Sequence, residues 1–159
     1  MLRETDAMST TSPDIANDER LVAALRGAGN RVTPQRLVLH RALNDLGRHA
    51  SAEELLRAAA PRLPGLSLPT VYAAVDLFVR LGVARRIDGA GNVALYDPRT
   101  DPHHHFACRS CGRVLDVDAG VDDRELARAA RTAGLQVEGV EVTLRGLCAD
   151  CATPAAPTR

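Results

Sequence analysis

With 159 residues, 45% of them apolar, the chain has room for one ordinary domain or two small ones that lean on each other. Aromatic residues make up only 3%, so the cores must be built from Leu, Val, Ala and Ile, and no apolar run approaches the ~20 residues that a membrane span needs. The formal net charge is zero, yet it is unevenly divided: Arg20 to Arg86 carries eleven arginines against four acids, and the rest of the chain nine against sixteen. A basic first part beside an acidic second part fits a protein with one nucleic-acid face.

The first 18 residues, with Ser, Thr, Asp and Pro, read as a mobile tail. They contain no apolar stretch of the secretory kind, so the chain is expected in the cytoplasm. Glu19 to Ala28 is helical in pattern and stops at Gly29. Thr33 followed by Pro34 predicts the start of a second helix, with Leu39, Leu43 and Leu46 at helical spacing up to Gly47. Ser51-Ala-Glu-Glu54 is a capping box for a third helix, closed by Pro61 and Pro64. Ser67 is expected to cap a fourth, with Val71, Ala74, Val75, Phe78 and Leu81 as its buried stripe. Thr70 and Tyr72 then lie on its outer face or flanks. Val83 to Asp88 and Val93 to Tyr96 read as two strands around Gly89-Ala-Gly-Asn92, a hairpin. Helices followed by a hairpin, with a short turn before the last helix, predict a winged helix-turn-helix over residues 19–96.

Residues 97–102 hold two prolines and read as a hinge. Beyond it, His103 to Cys108 and Arg113 to Asp118 suggest short strands. A helix is expected from Asp122, with Glu125 three residues on, to Gly134, and a strand with one buried face from Val140, Val142 and Leu144. The predicted architecture is thus α+β: a winged-helix domain, then a small α/β domain at 103–152 and a tail at 153–159. A domain of ~50 residues needs a staple or a partner.

Cys108-x-x-Cys111 and Cys148-x-x-Cys151 supply the staple. Two such pairs complete a closed tetrahedral thiolate site of the structural zinc type, which would tie the first strand of this domain to its end. A redox role for one C-x-x-C pair is the weaker alternative, because no βαβ setting surrounds it. Just before the first pair stands His103-His104-His105. On a strand His103 and His105 share a face, and two imidazoles so placed suit Fe, Mn, Ni or Zn. A four-cysteine site is already full, so a second metal site is implied. Asp97 and Asp116 are the carboxylates available nearby, and mixed nitrogen and oxygen ligation favours Fe(II) or Mn(II). No glutamate follows any histidine at the His-x-Glu spacing of zinc deaminases, and nothing indicates a small organic substrate or an enzyme.

Arg31-Val-Thr-Pro-Gln-Arg36, Thr70-Val-Tyr72, Tyr96-Asp97, His103-His-His-Phe-Ala-Cys-Arg-Ser-Cys111-Gly and Gly146-Leu-Cys148-Ala-Asp-Cys151 resemble the ferric-uptake-regulator superfamily in order and spacing, from about residue 19 to residue 151. The resemblance implies a homodimer of winged-helix heads on a shared dimerisation core, binding palindromic double-stranded DNA operators as a metal-dependent repressor. It implies structural zinc at Cys108, Cys111, Cys148 and Cys151, and a regulatory site of His49, Asp97, His103, His105 and Asp116 straddling the hinge. Arg31, Arg36, Thr70 and Tyr72 are the implied DNA-binding residues. Ala73 and Ala74 stand where many members present Arg or Asn to the bases. Two aspartates without a thiolate in the regulatory site resemble the peroxide-sensing (PerR) branch, including the actinobacterial regulators of catalase-peroxidase. The alternatives are iron-uptake, zinc-responsive or nickel-responsive repressors of the same superfamily. His104 has no evident partner for a third site.

Overall fold

The computed structural model describes residues 13–88, 93–120, 122 and 124–152. The expected hairpin turn at 89–92, most of the N-terminal tail and the C-terminal tail lie outside the described residues. Four helices come first: α1 (Pro13–Gly27), α2 (Pro34–Leu46), α3 (Ala52–Ala59) and α4 (Leu68–Arg80). Helix α1 starts six residues before the expected Glu19 and so takes in part of the segment read as tail. Asp18, inside that segment, forms an ion pair with Arg41 of α2. The tail reading followed polarity alone, whereas a proline is well suited to the first position of a helix.

The local start signals act as their chemistry dictates. Thr33 accepts from the Arg36 backbone N–H, and both halves of the Ser51–Glu54 capping box are formed. Ser67 sits at the N-cap of α4, but its hydroxyl meets the Thr70 hydroxyl at 2.9 Å instead of a backbone N–H. Leu21, Leu25, Leu39, Leu43, Leu55, Val71, Val75 and Phe78 interlock into one buried core. Leu77 joins the buried face of α4, while the expected Leu81 is only partly covered. The wing follows as β1 (Arg85–Asp88) and β2 (Ala94–Asp97), paired antiparallel.

The second domain holds β3 (His104–Cys108), β4 (Val114–Val117), α5 (Arg124–Thr132), β5 (Thr143–Gly146) and the short α6 (Ala149–Ala152). Strand β3 is central, antiparallel to β4 and parallel to β5. Helix α5 begins at Arg124, whose backbone N–H bonds to the Asp122 carboxylate, and Gly134 ends its run in the left-handed region at φ 80°. One expectation fails here. Strand β5 begins at Thr143, and Leu144, predicted on a buried face, is 50% exposed. Leu115, Leu126, Leu135 and Leu147 of this domain are also large exposed apolar side chains. A domain this small has too little interior to cover its own apolar residues, and such a concentration marks an interaction surface. Among the described residues, no helix is long and apolar enough to cross a membrane.

Candidate metal centres and DNA-binding face

The four cysteines meet at one end of the β3 sheet. Cys108 ends β3, Gly112 turns the chain back with φ 75°, and the register sets Cys108 beside Gly146 of β5. Helix α6 then returns Cys151 towards Cys148. Sulfurs of all four lie within 4.8 Å of one another, with Cys111 and Cys148 at 3.8 Å, and no disulfide joins them. Backbone N–H groups of Cys111 and then Cys148 pull the Cys108 thiol down to about 6. Ser110 lowers the Cys151 thiol, but the Cys148, Cys111 and Cys108 sulfurs outweigh it and push it up to about 12. Sulfurs crowded in this way ionise together only around a cation, as a tetrahedral thiolate zinc site provides.

The second cluster lies between head and core. Helix α2 ends at Gly47 in the left-handed conformation, and three residues later Ala50 forms an isolated bridge with Tyr96 of β2, through bonds of 3.0 and 2.8 Å. His49 and Asp97 each neighbour that bridge and so arrive at the same place. His103 immediately precedes β3, and His105 on β3 sits directly across from Asp116 on β4. Ligand atoms of His49, Asp97, His103, His105 and Asp116 lie within 4.8 Å of one another. The His103 and His49 Nε2 atoms are 3.1 and 3.7 Å from one Asp97 oxygen, and 3.5 and 3.1 Å from one Asp116 oxygen. All five residues named from the sequence are therefore brought together.

Two of the imidazoles are oriented from behind by backbone carbonyls, and a carboxylate stands behind the third. His49 Nδ1 lies 3.2 Å from the Val114 carbonyl, His103 Nδ1 lies 2.8 Å from the Asp101 carbonyl, and His105 Nδ1 lies 3.0 Å from a Glu141 carboxylate oxygen. The carbonyls require N–H on Nδ1 of His49 and His103, which leaves Nε2 as a lone-pair donor. The Nε2 atoms of all three histidines, His105 Nδ1 and one Asp97 oxygen are buried without a formed hydrogen bond. Buried polar atoms without a partner are costly, and a cluster facing one point fits a divalent cation. Burial works to lower the His49 pKa, yet the Asp97 carboxylate and then Asp116 more than offset it and raise it above the ordinary value. Burial opposes ionisation of Asp97, but His49, the Arg99 backbone N–H and His103 hold it below the usual carboxylate range. For His105 burial dominates and lowers its pKa.

Sequence reasoning missed two neighbours of this site. Arg99 reaches Asp116 at 3.5 Å and Asp118 at 2.7 Å, and Glu141 stands behind His105. His104 accepts from the Val142 backbone N–H at 3.3 Å and does not join the cluster. Of the DNA-binding candidates, Arg31 is exposed ahead of α2, and Tyr72 projects from α4 with its hydroxyl donating to Glu53 at 3.2 Å. Thr70 is partly covered and bonded to Ser67. The Arg36 guanidinium donates to the Arg31 carbonyl, so it braces the segment that carries Arg31.

A sequence profile described as the ferric uptake regulator family matches residues 27–145. The chain belongs to the ferric uptake regulator family. It is 40% identical over 119 residues to "Ferric uptake regulation protein 1" of Mycolicibacterium fortuitum, covering 74% of this chain and 73% of that protein. It is 29% identical over 133 residues to the peroxide-responsive repressor PerR of Staphylococcus epidermidis, covering 84% and 89%. The ferric uptake regulator of Helicobacter pylori matches with a TM-score of 0.77 over 94% of this chain and all of the other, at 16% identity, a likeness of fold. Family members are metal-dependent DNA-binding repressors that act as dimers, and they are not enzymes. This member is a metal-responsive transcriptional regulator with the winged-helix head and dimerisation domain of its family.

Proposed function

We propose that this ferric uptake regulator family member is a cytoplasmic, peroxide-sensing repressor that uses Fe(II) or Mn(II) in the His/Asp site and structural zinc in the four-cysteine site. The observation that carries the reading is the cluster of His49, Asp97, His103, His105 and Asp116, with three unpartnered Nε2 atoms facing one another. His49 comes from the connection between α2 and α3 of the head, and Asp116 and His105 come from the core. One cation held by all five stabilises only the arrangement in which head and core meet, so it shifts the population towards that arrangement by its differential affinity. The exposed leucines of the second domain support a homodimer. Two heads held at a fixed spacing then match successive major-groove half-sites of a palindromic operator. Arg31 and Tyr72 are the proposed contacts, with much of the remaining specificity carried by DNA shape.

The two aspartates favour peroxide sensing, because short carboxylates would leave iron coordination open to peroxide where longer glutamates could fill it. Fe(II), when bound, would start the cleavage of hydrogen peroxide with one electron and regain it from the oxidised ring; overall His49 or His103 would take one oxygen from the peroxide and the other would leave as water. The altered ring would no longer ligate, the closed arrangement would lose its tie, and the operator would be released. A second reading, iron-uptake regulation, is favoured by the name of the relative at 40% identity. The test begins by selecting duplexes from a random pool with Mn(II)-loaded protein, where an inverted repeat is expected. Binding to that repeat is then measured with Fe(II), Mn(II), Zn(II) and Ni(II), each with and without peroxide. Release confined to the Fe(II) form, with one added oxygen on His49 or His103, supports peroxide sensing. An Fe(II) form that keeps its operator in peroxide leaves the iron-uptake reading in its place.

A further inference from the structure

We infer that Glu141 is a positioning residue for the regulatory metal site, orienting His105 through Nδ1 and tying the site to the wing through Arg85. The inference rests on the metal-site reading above and concerns a residue outside the five candidate ligands. His105 is fully buried, and the Glu141 carboxylate, a third exposed, reaches in from the surface to 3.0 Å from its Nδ1. The two atoms are at contact distance without a formed hydrogen bond in the metal-free protein. The other Glu141 oxygen pairs with the Arg85 guanidinium on β1 of the head. Glu141 is held there by the backbone. The adjacent Val142 carbonyl accepts from the His105 backbone N–H at 3.0 Å, and its N–H donates to His104, which fixes this segment alongside β3.

Glu141 does not belong to the ligand cluster itself. Its place is the one that His105 leaves vacant on its far nitrogen. The other two histidines rest on neutral carbonyls, whereas His105 rests on a charged carboxylate. A carboxylate behind a ligand imidazole keeps the proton on Nδ1, sets the ring plane and makes Nε2 a stronger donor. Its second oxygen, neutralised by Arg85, makes the head a participant in that orientation. The metal site thus has two ties to the head, one through His49 and one through Glu141 and Arg85.

The test uses the full-length, zinc-loaded protein. Glu141→Gln keeps the size of the side chain and removes its charge. Mn(II) affinity should fall by about 10–100-fold, the usual loss when such an outer partner is removed. The visible bands of the Co(II)-substituted site should shift, while zinc content and dimer mass stay as in the wild type. Arg85→Gln, which leaves the β3 sheet intact, should weaken Mn(II) in the same direction, and the double variant should be no weaker than Glu141→Gln alone, because the two residues act through one contact. This second variant decides the matter if Glu141→Gln fails to fold. Wild-type affinity and Co(II) bands in Glu141→Gln, or in Arg85→Gln where only that variant folds, would overturn the inference, provided His105→Ala loses the metal. If His105→Ala also binds Mn(II) normally, the metal-site reading fails instead.

Discussion

His49→Ala removes the ligand that joins the head's α2–α3 connection to the core, and its consequences can be worked from the contacts it breaks. Without metal, the Val114 carbonyl loses the His49 Nδ1–H at 3.2 Å, and a buried acceptor left unpaired costs about 1–3 kcal/mol. Asp97, itself buried, loses the imidazole that helps to hold its pKa below the usual carboxylate range. With metal, the loss should exceed the ~10–100-fold seen when only an outer partner of a ligand is removed. Metal and DNA are linked through the closed arrangement, and linkage of this kind is typically worth ~1–3 kcal/mol, or about 5–150-fold in affinity. Mn(II) should therefore tighten operator binding by that factor in the wild type and by less than about twofold in His49→Ala, because the coupling path is gone. Metal-free binding should be the same in both proteins, since Arg31 and Tyr72 are untouched. Fluorescence anisotropy on the selected repeat, with and without Mn(II), measures all four affinities. A His49→Ala protein whose binding still tightens with Mn(II) as in the wild type would show that closure across the two domains is not what the metal does.

Cys111→Ser opens the thiolate cluster, so the purified protein should lose its roughly one zinc per chain and elute as monomer or aggregate; a dimeric, zinc-free variant on calibrated gel filtration would remove the structural role. Arg31→Ala should weaken operator binding by about 1–3 kcal/mol if the side chain reads a groove, whereas a phosphate contact would mainly lower the salt slope. Unchanged affinity and slope would take Arg31 out of the interface. Asp116→Glu should still bind DNA with Fe(II) but respond much less to peroxide, because the longer carboxylate fills the coordination that peroxide needs; an undiminished response in a peroxide titration would refute this. The raised pKa of His49 gives a pH prediction. The protonated ring cannot ligate, so Mn(II) affinity should climb as pH rises through that raised value, and the pairing of protonated His49 with Asp97 in the metal-free protein should be lost over the same interval. Mn(II) affinity that stays flat from about pH 6 to 8 would contradict the assignment.

Local chemistry was enough to read much of this molecule from its residues alone. Thr33-Pro34 and the Ser51–Glu54 box start their helices through contacts within one turn, and Gly47 and Gly134 stop theirs because they adopt left-handed backbone at little cost. The spacing of the two Cys-x-x-Cys pairs foretold one sulfur cluster, and the shared face of His103 and His105 is a consequence of strand geometry. His49 and Asp116 were different. Asp116 could be named only as a carboxylate available on a neighbouring strand, and only the family resemblance pointed to His49.

Tertiary structure decided those positions through pairings between distant segments. The Ala50–Tyr96 bridge carries His49 to Asp97, and the β3–β4 register puts Asp116 opposite His105, where a slip of one residue would have turned it to the other face. Glu141 and Arg85 were invisible for the same reason, since an ordinary surface glutamate and arginine gain meaning only when β1 and the segment before β5 converge on a buried imidazole. Leu144 shows the limit from the other side. Its alternation with polar neighbours promised a buried face, but in the single chain it remains half exposed. Periodicity records that a face is apolar; whether the same chain or another one covers it depends on how much interior the domain can build.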